Sequence, residues 1–161
     1  GVGGHCIPVD PYYLSWLAKK KKIKTEYVEL SGKINRSAPN LICKEIEKIL
    51  KLKKLKKIFI LGISYKKNIS DTRNSPNLYI FTYFYRKKYK INFNDDFVKY
   101  INVNKKNFKS LKINSKNLGK QDAIIFLNDH NYYDKRNIIK NSDFIFDCTY
   151  SFPKSDKVKF I

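Results

Sequence analysis

Methionine is absent from this chain of 161 residues, so the sequence reads as a piece of something longer. Cysteine is sparse, with three residues and no Cys-x-x-Cys pair, which excludes a disulfide framework and a zinc site of the usual spacing. A reducing cytoplasm is the expected compartment. No apolar run approaches the roughly 18 residues that span a bilayer, and the N-terminus lacks the pattern of a signal peptide. Both observations argue against a membrane or secreted protein. Aromatics, by contrast, are plentiful: Tyr and Phe supply 12 and 11 residues, too many for a disordered chain. A domain of this length buries roughly 68–70% of its unfolded surface, enough for a real core.

Acidic residues are also few, 14 against 34 Lys and Arg, for a net charge of +20. That imbalance suggests a nucleic-acid partner. The makeup of the charge argues otherwise. Only 4 of the cations are Arg, the residue that bidentate phosphate and base contacts favour, and the 30 Lys are spread along the whole chain. Asn and Ile rise with Lys, as in an AT-rich coding sequence. We therefore expect no nucleic-acid partner, and read Lys19–Lys22 and Lys51–Lys57 as solvated helix ends.

The first 55 residues read as helical. Asp10-Pro11 has the form of a helix start, with the carboxylate as N-cap and Pro at the first helical position. A second helix begins near Thr25 or Glu26, and Pro39 is expected to kink or break it. Cys43 lies at helical spacing among Leu41, Ile42, Ile46 and Ile49 and reads as core. From residue 56 the pattern changes. The runs KIFILGIS (57–64), KINFND (90–95), AIIFLND (123–129) and DFIFDC (143–148) read as strands. A helix from Ser75-Pro76 and another over 134–140 separate them, while 98–119 resists assignment. This alternation implies a parallel α/β sheet. The expected architecture is α/β: an N-terminal helical segment (1–55) feeding a small Rossmann-like domain (56–161). Ligands of such sheets lie at the carboxyl ends of the strands, here the loops after Leu61, Asn94 and Leu127.

The opening GVGGHCIPVD begins as a dinucleotide fingerprint and then departs from it, because Cys6 stands where the third glycine belongs. What remains is a glycine turn that delivers a thiol just ahead of a helix N-terminus, where the dipole favours a thiolate. Asp10 either orients a water or caps the helix. The residues alone leave Cys6 open between a reactive and a structural role. His5 beside it is open between tuning the thiol and packing.

Two longer motifs narrow the choice. GVGGHCIPVDPYYLSW resembles the catalytic segment of the UDP-glucose/GDP-mannose dehydrogenases, most closely the branch that oxidises UDP-N-acetylhexosamines to uronic acids. ILGISYKKNISDTRNSP (60–76) is similar to the strand, loop and helix that open the family's UDP-binding domain. LSGKINRSAP (30–39) resembles its central dimerisation helix, with weaker likenesses in FLNDHNYYD (126–134) and FIFDC (144–148).

The resemblance implies an NAD-dependent, four-electron oxidation at C6 of a UDP-sugar. Cys6 matches the nucleophile and Asp10 the carboxylate that assists hydrolysis. Gly1, Val2 and Gly3 match the substrate-contacting turn, Tyr65 and Lys66 the pair that touches the UDP-sugar. Arg73, with Cys6, Ile7, Pro8 and Val9, matches the edge that meets the cofactor. The implied partners are an N-terminal NAD-binding domain, carrying the family's catalytic Lys and Asn, and a second copy joined through the 25–50 helix. One departure is visible: where relatives carry a substrate Arg, this chain reads Asp147-Cys148-Thr149. A non-catalytic UDP-sugar-binding or dimerisation remnant is the alternative.

Overall fold

The computed structural model describes residues 1–161. Two helices lead, α1 (Asp10–Lys20) and α2 (Glu26–Leu52), followed by β1 (Lys57–Leu61), α3 (Pro76–Arg86) and β2 (Lys90–Asn94). Next come the hairpin strands β3 (Tyr100–Val103) and β4 (Lys106–Lys109), the one-turn α4 (Ser115–Leu118) and β5 (Ala123–Phe126). α5 (Lys135–Lys140), β6 (Ile145–Asp147) and β7 (Val158–Phe160) close the chain. No helix is long and apolar enough to cross a membrane.

The main sheet has the order β2-β1-β5-β6-β7, and every pair is parallel. Because side chains alternate along a strand, β1 supplies both faces. Ile58 and Ile60 enter a core with Cys43, Ile46 and Leu50 of α2 and Ile80, Phe81 and Phe84 of α3. Phe59 and Leu61 enter a second core with Leu118, Ile138 and Phe152. Strands buried on both faces explain the unbroken apolar runs. β1 is followed by β2 on one side, whereas β5 lies on its other side. The order therefore reverses between β1 and β5, the place where doubly wound sheets open a ligand crevice.

Two expectations are corrected, and two stretches without an assignment are filled in. The N-cap of α1 is Val9 rather than Asp10, and no side chain caps it. The Cys6 carbonyl already accepts the N–H groups of Val9 (3.0 Å) and Asp10 (2.8 Å), so the chain turns one residue early and Asp10 is already helical. α2 runs unbroken through Pro39, which is buried. One missing ladder bond costs less than α2 gains by packing Cys43, Ile46 and Leu50 against the sheet domain. Part of the unassigned 98–119 stretch is the β3–β4 hairpin, which packs Val98, Ile101 and Val103 into the first core and sets Phe108 edge-on to Phe81. β7 was also missed.

α1, α2 and α3 stop in the same way, each with a Lys in the left-handed region: Lys22 (φ 59°), Lys54 (φ 57°) and Lys88 (φ 63°). The amide after each reaches back to the helix: Ile23 to the Ala18 carbonyl, Leu55 to Leu50 and Tyr89 to Phe84. This is the stop that glycine makes without strain. Lys54→Gly and Lys88→Gly should each stabilise the fold by about 0.5–1 kcal/mol, read as a higher midpoint of thermal unfolding. No gain in either variant would contradict the assignment.

Candidate active site

The glycine turn reaches the sheet domain edge-on. Gly4 N–H donates to the Arg73 carbonyl (3.0 Å), and Asn74 Nδ2 donates to the Gly4 carbonyl (3.1 Å). Both glycines are needed for this approach. A Cβ on Gly3 would lie 2.6 Å from Tyr65 Cβ and 2.8 Å from the Asn74 carbonyl oxygen. Gly4 has φ +93° and sits against the Tyr65 ring. From the other side Asn35 of α2 holds the Val2 peptide at both ends, accepting its N–H and donating to its carbonyl (2.9 Å).

Docking these segments encloses a cavity of about 570 Å³ lined by Gly1, Val2, Gly3, Gly4, His5, Cys6, Ile7, Tyr65, Lys66 and Arg73. Residues more than fifty positions apart are thus brought to one opening. Cys6 is exposed there. The other two thiols are unsuited to chemistry. Burial, with the Glu47 charge behind it, pushes Cys43 up to about 12; burial, with Asp147, does the same to Cys148, up to about 12.

Arg73 points its Nε and Nη2 at the Asp71 carboxylate (2.7–3.1 Å), and this fork holds the Asp71 carboxyl below the usual range. Nη1 has no protein partner. Asp10, Pro8 and Val9 lie outside the cavity lining. Pro8 and Val9 border a neighbouring cleft with Tyr12, Tyr13, Trp16 and Arg36, while the Asp10 carboxylate makes no hydrogen bond. The departure at residue 147 has a structural account. Asp147, fully buried, accepts from Thr149 N and Oγ1 and from Ser151 and Phe152 N (2.8–2.9 Å), so this loop closes on itself without presenting a cation.

Sequence reasoning missed the support under the loop. Asp95, fully buried after β2, accepts on one oxygen from Ile63 N (2.9 Å), Ser64 N (3.0 Å) and His130 Nε2 (3.1 Å). Burial alone would raise this carboxyl; the His130 bond and the two backbone donors outweigh it and leave it below the usual range. The signal was available, since Asp95 and His130 both follow strands at their carboxyl ends. A depressed folded value means that this stability is complete above the unfolded value of about 3.9 and is lost as pH falls through the folded one. Asp95→Asn should therefore cost most near neutral pH, and its difference from the parent chain should shrink in urea unfolding between about pH 5 and pH 2. A difference independent of pH would contradict this.

The family profile described as the UDP binding domain of UDP-glucose/GDP-mannose dehydrogenases matches residues 59–153, and that of the central domain matches residues 1–37. The chain belongs to the UDP-glucose/GDP-mannose dehydrogenase family. Among its relatives, a UDP-N-acetyl-D-mannosamine dehydrogenase of Methanocaldococcus jannaschii is 40% identical over 76 residues, 47% of this chain and 17% of that protein. Protein CapL of Staphylococcus aureus is 30% identical over 156 residues, 91% of this chain and 36% of that protein. The solved UDP-D-ManNAc dehydrogenase of Pyrococcus horikoshii superposes with a TM-score of 0.77 at 26% identity, covering 99% of this chain and 38% of that one. The GDP-mannose dehydrogenase of Pseudomonas aeruginosa, at 17% identity and the same TM-score, shows the shared fold. This chain therefore spans well under half the length of these family members.

Proposed function

We propose that the chain is the thiol-bearing and UDP-sugar-binding portion of an NAD-dependent UDP-sugar 6-dehydrogenase acting on a UDP-N-acetylhexosamine or on UDP-glucose. The observation that carries this reading is the single cavity shared by Cys6 and the Tyr65-Lys66 loop. A nucleotide sugar held by that loop has its sugar end within reach of a thiol, while Lys66 answers the diphosphate charge and Tyr65 offers a ring.

NAD, held by a further domain, supplies the hydride acceptor for two successive oxidations at C6. The residues of this chain carry the covalent and hydrolytic steps, alongside the catalytic Lys and Asn expected from the NAD-binding domain. Cys6 Sγ adds to the C6 aldehyde, and the second oxidation leaves a thioester on that sulfur. Water then releases the carboxylate and restores the thiol, with Asp10, one turn away, as the group that orients it. Arg73 fits an anionic cofactor edge because Nη1 remains free, Ile7 supplies an apolar border in the same cavity, and Pro8 and Val9 extend that border into the neighbouring cleft. The names of the mannosamine-oxidising relatives favour the hexosamine branch.

A second copy is the proposed partner of α2. Tyr27, Leu30, Ile34 and Leu41 are 56–83% exposed at helical spacing, an apolar stripe with no partner in the chain. Tyr27, Leu30 and Ile34 of this stripe also border a cleft of about 540 Å³ between α1 and α2. The binding arm of the proposal is tested with UDP and the 161-residue chain in a calorimeter. Lys66→Ala should weaken UDP binding by about 1–3 kcal/mol, the scale of a charge-assisted contact. Unchanged affinity would reject Lys66, and no binding by the parent chain would reject the nucleotide reading.

A further inference from the structure

The loop that carries Tyr65 and Lys66 is gripped on both sides by one buried pair. Before the span, Asp95 takes the N–H groups of Ile63 and Ser64. After it, His130 Nδ1 accepts Asn68 N–H at 2.8 Å, and Asn68 Oδ1 accepts Asn131 N–H at 3.0 Å. The two grips are joined by His130 Nε2, 3.1 Å from Asp95 Oδ2 and 3.3 Å from Ser64 Oγ. Ser64 Oγ in turn donates to the Lys66 carbonyl (2.9 Å), and Asn77 and Asn128 donate to the Ser64 carbonyl (2.8 and 3.1 Å). Because Nδ1 faces a donor, it is the unprotonated nitrogen, and Nε2 carries the hydrogen that Asp95 receives.

Three features set this pair apart from ordinary core packing. Both side chains are at most 1% exposed, so their bonds are not diluted by water. His130 is boxed by Phe97, Tyr132 and Tyr133, with ring centroids 5.3–5.5 Å away, which fixes its plane. Finally, the pair grips the backbone on either side of residues 65–67, the span whose first two members line the cavity and which is otherwise held by Tyr65 N–H on the Asp71 carbonyl and Ser64 Oγ on the Lys66 carbonyl. Asp95 stands at the end of β2 and His130 beyond β5, on opposite sides of β1, so the brace straddles the crevice where the strand order reverses.

We propose that Asp95 and His130 are positioning residues that set the Tyr65-Lys66 span against the Cys6 turn, through Ile63, Ser64 and Asn68. The proposal rests on the nucleotide-binding reading above for its functional consequence, and on hydrogen bonding alone for the brace itself. His130→Phe keeps the ring and removes both bonds. It should weaken UDP binding by calorimetry about tenfold in a chain still folded by circular dichroism. His130→Asn, whose Oδ1 can accept Asn68 N–H, should recover most of that loss. In the His130→Phe background Lys66→Ala should cost little more, because a displaced Lys66 has already lost its contact. Ser64→Ala, which removes only the Oγ links, should fall in between and guards against a variant that does not fold. Full and independent losses from His130→Phe and Lys66→Ala, or unchanged binding in both His130→Phe and Ser64→Ala, would overturn the proposal. Amide exchange separates the two levels. Faster exchange at Ser64 and Asn68 in His130→Phe supports the brace even if the parent chain fails to bind UDP, which would sink only the nucleotide reading. Unchanged exchange there overturns the brace.

Discussion

Cys6→Ala is expected to abolish acid formation when this chain is joined to an NAD-binding half and supplied with a UDP-N-acetylhexosamine. A nucleophile that forms a covalent intermediate has no substitute in the site, and such losses run to about 10⁴-fold or more. Neither remaining thiol can take over. Cys43 is fully buried within α2, and Cys148 is held largely protonated by burial and by Asp147. Cys148→Ala is the matching control and should retain acid formation. The decisive readout is the second equivalent of NADH per sugar together with the carboxylate product. No acid formation even by the parent joined enzyme would leave a UDP-sugar-binding remnant as the better account, whereas normal acid formation by Cys6→Ala would remove the thiol from the mechanism. Aldehyde release by the same variant would support it.

Gly3→Val is expected to lower turnover of the joined enzyme by about 100-fold, the scale of a reacting group misplaced by roughly 1 Å. The first added carbon would already lie 2.6 Å from Tyr65 Cβ and 2.8 Å from both the Asn74 carbonyl oxygen and Pro76 Cδ. Two of those three neighbours belong to or adjoin the backbone of the nucleotide loop, so relief requires the Cys6 turn to move away. The sheet domain does not depend on this contact. UDP affinity should therefore change less than turnover, and thermal stability should fall little. Equal losses of binding and turnover would show that Gly3 supports the loop itself rather than the placement of Cys6.

Much of the α/β domain was legible because its signals are local. Apolar runs marked the strands, and Ser75, with Oγ accepting from Asn77 and Leu78 N–H, capped α3 where Ser-Pro announced a helix. Asp134 capped α5 in the same way. The misreadings share a cause. Asp10 was assigned the cap from its identity, whereas the Cys6 carbonyl decided where the helix began. Pro39 is a signal for a kink or a break in α2, and the helix does not break there, because packing from Cys43 onward against α3 and the sheet keeps it continuous. β7 has three residues and pairs only with β6, so its short sequence carries little periodicity to detect.

The motif residues at 1–10 and 60–76 carried, by themselves, the family of this protein and the residues proposed for its chemistry, since the turn glycines and the thiol lie in one local run and Lys66 and Arg73 in another. Their meeting was decided elsewhere. Only the folded chain shows Gly4 bonded to Arg73, Asn35 holding Val2, and the buried Asp95–His130 pair beneath Tyr65 and Lys66. These contacts join residues about 30 to 70 positions apart, a separation over which no local pattern survives; sheet order brings the ends of β1, β2 and β5 to one crevice, and α2 carries Asn35 to the glycine turn.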